Sequence, residues 1–457
     1  MRTPDIAGFL RKNRIWRELG LLLIALAVAV AISSVWFRSK AARDYYQCWA
    51  VTRGIEIHSI TNIYSPEACA YLDRRLTAEA QASRSDHWRT VAEQGIIGPT
   101  GTPFLYSIFK LLSRGNYDAD YERYRILSIL GYAAANVALA RLAGFGPVAA
   151  LVLLGLFTVL FYPFQLDALV GNVNQPQLAV LVAAIALAWT RWFSCIGLAG
   201  GLLGAAVCFK PNIGLIPFLW GIMWMLDRQY ARSVVFGAGF LVGAMFGITL
   251  PDTVLGPACS WADWGVASHQ RMLNPVYVND SFIATIAGLQ PLPVFRMAGL
   301  FIAGGTVCFL ILTRRSVQPP VADPSNRRRD DGRQFIAAAY VGFLGYVLAS
   351  PFTHGHYFML LIPGLIFLFR PADAERQPRG VLPRHVVAGI AFILMGWHPV
   401  FRGLGLTTRG FHSLWTYAGA ILAGSLIFLE WGRIRMGARQ SPMKPTVEKP
   451  ATIHTEK

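Results

Sequence analysis

A carboxylate, an ammonium, two histidines and a set of amides stand out in this chain, because each lies at the end of a long apolar run. Asp44, in Arg43-Asp44-Tyr45-Tyr46, follows the apolar run 19–37. A carboxylate held at a bilayer surface needs a partner or a task, and proton abstraction is one such task. Pairing with Arg43 or capping a helix is the plainer alternative. Lys210, in Lys210-Pro211-Asn212, has almost no loop around it, so its ammonium sits at the membrane boundary. A cation there suits a lipid-linked phosphate whose chain stays in the bilayer; snorkelling to headgroups is the rival reading. A point-charge contact of that kind would accept arginine better than alanine. His354 and His356, in 350–357, could add hydrogen bonds or proton transfer to the same phosphate, or could cap helices. Asn172, Asn174 and Asn279 offer donor and acceptor pairs of the kind sugar hydroxyls need, and Ser281 adds a hydroxyl. Tyr45, Tyr46, Trp261 and Trp264 offer flat apolar faces for a sugar ring, or belong to the aromatic belt of a membrane protein.

The elements that must position these groups are transmembrane helices. Hydrophobic residues make up 54% of the 457-residue chain and charged residues 15%, a balance that points to the bilayer. Apolar runs recur from 19–37 to 414–429, and with their Gly, Ser, Tyr and Trp flanks they make about twelve spans. The expected fold is therefore all-α, a polytopic bundle of about twelve transmembrane helices with a long first external loop, 38–125. The first run is too long for a signal peptide and no small-x-small cleavage site follows it, so it reads as an uncleaved anchor.

Orientation follows from Lys and Arg. With the N-terminus inside, the cytoplasmic segments hold more than half of the 42 Lys and Arg residues, and the short external loops hold only Lys210, Arg271, Arg402 and Arg409. This alternation obeys the positive-inside rule, from which a loop as long as 38–125 is exempt. It divides the chain into a cytoplasmic N-terminus (1–17), a transmembrane domain (18–439) and a disordered cytoplasmic tail (440–457). The net charge of +17 becomes a property of the cytoplasmic face, suited to anionic lipid headgroups and not to nucleic acid. It also places every polar group named above on one side, the external or periplasmic side of a bacterial inner membrane. Polar groups converging above an apolar bundle mark a site.

Within 38–125, residues 68–94 read as one or two helices lying along the membrane. Residues 104–112 read as a re-entrant or interfacial helix, with a short span as the alternative. Residues 318–333 look disordered. The six cysteines show no metal spacing; Cys48, Cys69 and Cys259 fall on the external side. A Cys48–Cys69 bridge is one reading there, a buried Cys48 or a Cys259 partner the others. No phosphate-cradling Gly loop, dinucleotide fingerprint or nucleophile elbow is present, which argues against a nucleotide-dependent pump.

The arrangement resembles the multispanning glycosyltransferases of the C-type fold, and within them glycosyltransferase family 87, the polyprenyl-phosphate-mannose-dependent mannosyltransferase-like group. The resembling motifs run in chain order over residues 15–370. They are Asp44-Tyr45-Tyr46 with Gly54 and Ile63-Tyr64, Thr102-Pro103-Phe104-Leu105, Gly171-Asn172-Val173-Asn174, Phe209-Lys210-Pro211, Asn279-Asp280-Ser281, and Ser350-Pro351 with His356. The chain departs from the family pattern at Asn172, Asp280, His354 and Tyr357, and at Thr102 before Pro103. The resemblance implies an inverting transfer of a mannose-like sugar from a polyprenyl-phosphate donor to a lipid or glycan acceptor. It implies Asp44 as general base and Lys210 and His356, with His354, on the leaving phosphate. Tyr45, Tyr46, Asn172, Asn174, Trp264, Asn279 and Ser281 would hold sugar or acceptor, with no cofactor and no metal. A flippase for lipid-linked glycans, or a non-catalytic subunit of an envelope-polysaccharide assembly complex, are the alternatives.

Overall fold

The computed structural model describes residues 42–58, 60–96, 100–190, 192–273, 292–313, 324–350, 353–370, 384–396 and 409–437, with six positions between 20 and 31. Among the described residues there are 17 α-helices and no strand. The chain begins with α1 (Arg43–His58), α2 (Pro66–Ala82), α3 (Asp86–Ala92) and α4 (Pro103–Leu112). A central group follows: α5 (Tyr117–Leu142), α6 (Pro147–Val159), α7 (Tyr162–Val170), α8 (Asn174–Trp189) and α9 (Phe193–Phe209). Next come α10 (Leu215–Leu226), α11 (Tyr230–Val254), α12 (Trp261–Leu273) and α13 (Leu292–Leu312). The remainder is α14 (Pro324–Ala349), α15 (Ile362–Phe369), α16 (Arg384–Gly396) and α17 (Arg409–Gly437), with short 3₁₀ turns at Pro211–Ile213, Gly256–Cys259 and Gly355–Leu361.

Two of these helices, α5 and α11, are long and apolar enough to cross a bilayer alone, and the pair α6–α7, bent by 63°, makes a third if counted together. Apart from α13, α14 and α17, which run for 21, 26 and 29 residues, the other apolar runs form shorter helices, in good part because proline divides them. Pro stands in the first turn of α4, α6, α7, α15 and the turn at Pro211, where its missing N–H breaks no helical bond and the preceding chain cannot continue as helix. The surface of α11 is apolar: Val234, Leu241, Val242, Met245 and Phe246 are all exposed. Their spacing puts them on one stripe of the helix. An apolar face of that length is consistent with a membrane protein.

The tightest helix pair is α9 against α11. A methyl added at Gly239 or Gly243 would overlap the backbone of Gly197 or Gly201, and one at Gly200 or Gly204 would overlap that of Phe236 or Phe240. The helices touch backbone to backbone, the small-xxx-small packing that brings helices close without a hydrophobic driving force. That contact fixes the C-terminal end of α9, where Lys210 follows.

Several local expectations change. Residues 38–125, read as a loop, carry four helices and the start of α5, and Asp44 lies in the first turn of α1. Residues 68–94 do form two helices, and residues 103–112 form one of ten residues. Residues 163–173, a stretch between two apolar runs that the charge pattern makes a short external loop, mostly belong to the helix α7, opened by Pro163 and closed by Gly171. Residues 324–333, read as disordered, are the first turns of α14. There Arg333 is buried and Gln334 accepts a hydrogen bond from the fully buried Arg435 Nη1 at 3.0 Å, so tertiary partners override the polar composition. The first apolar run, residues 274–291 and the tail from 440 lie outside the described residues or nearly so.

Candidate functional site

Four segments meet where the polar motifs lie: the start of α1, the turn between α7 and α8, the end of α9, and the 3₁₀ turn before α15. Gly171 makes the first two meet. Its φ of 67° is left-handed, which ends α7 and turns the chain at once into α8. It also lies so close to α1 that a Cβ there would stand 2.8 Å from Ala42 Cβ and 2.9 Å from Tyr45 Cβ. Only glycine permits both the turn and the approach. Tyr124 on α5 holds the turn from the other side, its hydroxyl donating to the Asn172 carbonyl at 2.5 Å.

Lys210 is fixed by proline and by side-chain bonds to its backbone. Pro211 forces it into extended conformation, φ −156°, so α9 stops at Phe209. Thr102, which caps α4, donates to the Phe209 carbonyl at 2.9 Å, and Gln177 Nε2 donates to the Lys210 carbonyl at 3.0 Å and to Asn212 Oδ1 at 2.7 Å. The ammonium then points inward.

The result is a continuous polar chain. Asn172 Nδ2 donates to Asp44 Oδ2 at 2.5 Å. Lys210 Nζ donates to Asn172 Oδ1 at 2.9 Å and to Asn174 Oδ1 at 2.7 Å. Asn174 Nδ2 donates to Asp167 Oδ1 at 2.8 Å and to the His356 carbonyl at 3.3 Å. Lys210 Nζ also lies over the Tyr357 ring, 4.1 Å from its centre, a cation–π contact. His356 Nε2 is 4.0 Å from Asp44 Oδ2 and has no hydrogen-bond partner among the described residues. The ammonium therefore sits between two amide oxygens, each amide ending on a carboxylate. The Asp44 side chain is 34% exposed and that of His356 10%, so Asp44 is the member an arriving molecule meets first.

Of the residues singled out in the sequence, Asp44, Asn172, Asn174, Lys210 and His356 come together, although they lie far apart in the chain. His354 stacks on His356 at 5.4 Å between ring centres and so sits beside the network. The amides of Asn172 and Asn174 are engaged by Asp44, Lys210 and Asp167, so in this state they hold the site together and do not face a sugar. Tyr45 and Tyr46 turn away from the cleft. Successive residues on a helix are about 100° apart. That carries both rings into the core, 3% and 0% exposed. There Tyr45 packs on Tyr121 and Tyr124 at 5.1 and 4.9 Å, and Tyr46 packs on Trp49 and Tyr117. Trp264, on α12, donates to the Thr100 carbonyl at 3.3 Å and meets Trp261 edge-on, with no contact to the network. Asn279 and Ser281 lie outside the described residues.

Three members escaped the sequence reading. Asp167, fully buried, closes the network; a lone carboxylate among Leu166, Ala168, Leu169 and Val170 was the available signal. Tyr357, which lies against the ammonium, was marked in the sequence only as a departure from the family pattern, and Gln177, which holds the backbone of Lys210, carried no signal. The cysteines are free, Cys48 and Cys259 buried. Tyr64 Oη lies 3.4 Å from Cys259 Sγ and donates to the Gly101 carbonyl at 3.0 Å. The Cys48–Cys69 bridge does not form: both thiols are free, and Cys48 is buried in the apolar cluster with Tyr45, Trp49 and Tyr106.

No family of known proteins, no curated protein and no solved structure matches this chain.

Proposed function

We propose that this chain is a membrane glycosyltransferase of the C-type fold, akin to family 87, with about twelve spans. It would move a mannose-like sugar from a polyprenyl-phosphate donor to a lipid or glycan acceptor at the external face of a bacterial inner membrane. The observation that carries the reading is the Asp44–Asn172–Lys210 chain: a half-exposed carboxylate and a buried ammonium joined through one amide. The ordered motifs of the sequence support it.

Asp44 takes the proton of the acceptor hydroxyl as that oxygen attacks the anomeric carbon. The bond from that carbon to the phosphate oxygen breaks, and inversion follows from attack on the opposite face. Lys210 and His356 meet the leaving phosphate, whose negative charge grows as the bond breaks. The lipid phosphate is itself the activated carrier, so no nucleotide or metal is required.

A transporter of lipid-linked glycans is the second reading, favoured by the bent pair α6–α7, since broken helices carry the sites of many transporters. One assay separates them: purified protein incubated with radiolabelled polyprenyl-phosphate mannose and membrane lipids. Transfer of label to a new product is expected, with Asp44→Asn folded and slower by about 10²–10⁴-fold. Label that crosses vesicles without changing its chemical form favours transport, and normal turnover in Asp44→Asn removes the carboxylate from the mechanism.

A further inference from the structure

Asp167 has no part in the transfer chemistry just described, yet it is 0% exposed on α7. One oxygen accepts from Asn174 Nδ2 at 2.8 Å, and the other, Oδ2, has no hydrogen-bond partner among the described residues. A buried carboxylate with an orphan oxygen is costly, so packing alone is a poor reason to keep it. Helix termination does not need the side chain either. Gly171 N and Asn172 N both donate to the backbone carbonyl of Asp167, which ends α7 without the carboxylate.

What the carboxylate does is choose the orientation of an amide. The oxygen and nitrogen ends of asparagine are close in size but opposite in hydrogen-bonding sense. Asn174 is useful to Lys210 only with its oxygen toward the ammonium, 2.7 Å away; reversed, it would set donor against donor. Asp167 Oδ1 accepts from the NH₂ end of Asn174, which leaves the amide oxygen to Lys210. Asn172 needs no such help, because Val173 N donates to its Oδ1 at 2.8 Å and Asp44 takes its Nδ2. We infer that Asp167 is the positioning residue of the phosphate-binding lysine: by orienting the Asn174 amide it aims the Lys210 ammonium at the phosphate of a polyprenyl-phosphate ligand. The inference rests on the glycosyl-transfer reading of Lys210.

The test is binding of a polyprenyl monophosphate, in mixed micelles, to the purified full chain, followed by tryptophan fluorescence. Asp167→Leu removes the acceptor and is expected to weaken binding about tenfold, the scale of one misdirected charge-assisted bond. Asp167→Asn keeps an oxygen that can accept from Asn174 and is expected to stay within about threefold of wild type. Adding Asp167→Leu to Asn174→Leu should cost nothing more, because the carboxylate acts through that amide. A purely structural Asp167 would lower the folded yield of Asp167→Leu and leave the affinity of the folded fraction unchanged. Asp167→Leu binding as wild type, or Asp167→Asn as weak as Asp167→Leu, overturns the inference. If Asp167→Leu does not fold, Asn174→Leu carries the test from the other end of the bond, and wild-type affinity there overturns it equally. Lys210→Ala separates the two levels: if it binds the lipid phosphate normally, the functional reading fails, whereas loss in Lys210→Ala with none in Asp167→Leu rejects Asp167 alone.

Discussion

Gly171→Ala probes the whole geometry with one methyl group. The backbone φ of 67° costs an L-residue about 1–2 kcal/mol. The added Cβ would stand 2.8 Å from Ala42 Cβ and 2.9 Å from Tyr45 Cβ. Carbon atoms rest about 3.5–4.0 Å apart, so the turn and α1 must separate by about 1 Å or stay compressed. Compression of that kind costs about 1–3 kcal/mol, which brings the total to about 2–5 kcal/mol if nothing moves. If the turn moves instead, the 2.5 Å bond from Asn172 to Asp44 is stretched to the limit of a hydrogen bond. A misplacement of about 1 Å can lower turnover by about 10²-fold. The assay pairs thermal unfolding in detergent with transfer kinetics, and uses Gly221→Ala as control, since nothing lies within 4 Å of a Cβ there. The expected result is a lower melting temperature, a lower kcat/KM, or both, for Gly171→Ala and neither for Gly221→Ala. A Gly171→Ala protein with unchanged melting and unchanged turnover would refute the close approach of α1 and the α7–α8 turn.

Two further outcomes follow from the same arrangement. Lys210→Met leaves Asn172 Oδ1 and Asn174 Oδ1 without the ammonium they share, and each such bond is worth about 1.5–3 kcal/mol, so transfer should fall at least about tenfold. Lys210→Arg should be no better, because two amide oxygens and the Tyr357 ring enclose a compact ammonium and leave no room for a planar guanidinium; full activity with arginine would point to a loosely held surface charge. The thiols give a chemical check on α1 and α2. Burial pushes Cys69 from 9.0 up to about 11 and Cys48 higher still, so below pH 9 the Cys69 thiolate is scarcer by about a hundredfold than in an ordinary cysteine. Both should alkylate slowly in folded protein and fully on unfolding without reductant, as read by intact mass; alkylation that requires reductant would mean a disulfide.

The local sequence determined that this chain is helical and where its helices break. Apolar runs fixed the helices, and Pro103, Pro147, Pro163, Pro211 and Gly171 fixed their ends, because proline and left-handed glycine act on the backbone within a few residues. Asp44, Asn172, Asn174, Lys210 and His356 were legible for a related reason: a polar group at the edge of an apolar run stands out whatever surrounds it. Direction was not legible. Asp44 and Tyr45 are neighbours in sequence, yet one faces the cleft and the other the core, and only the packing of α1 against α4, α5 and the α7–α8 turn decides which. Asp167 and Tyr357 became site residues through the same packing. The bond from Asn172 to Asp44 joins residues 128 positions apart, and it exists because Gly171 lets two backbones touch. Propensity is set by near neighbours along the chain, whereas the pairing of an amide with a distant carboxylate depends on surfaces that exist only once the helices have met.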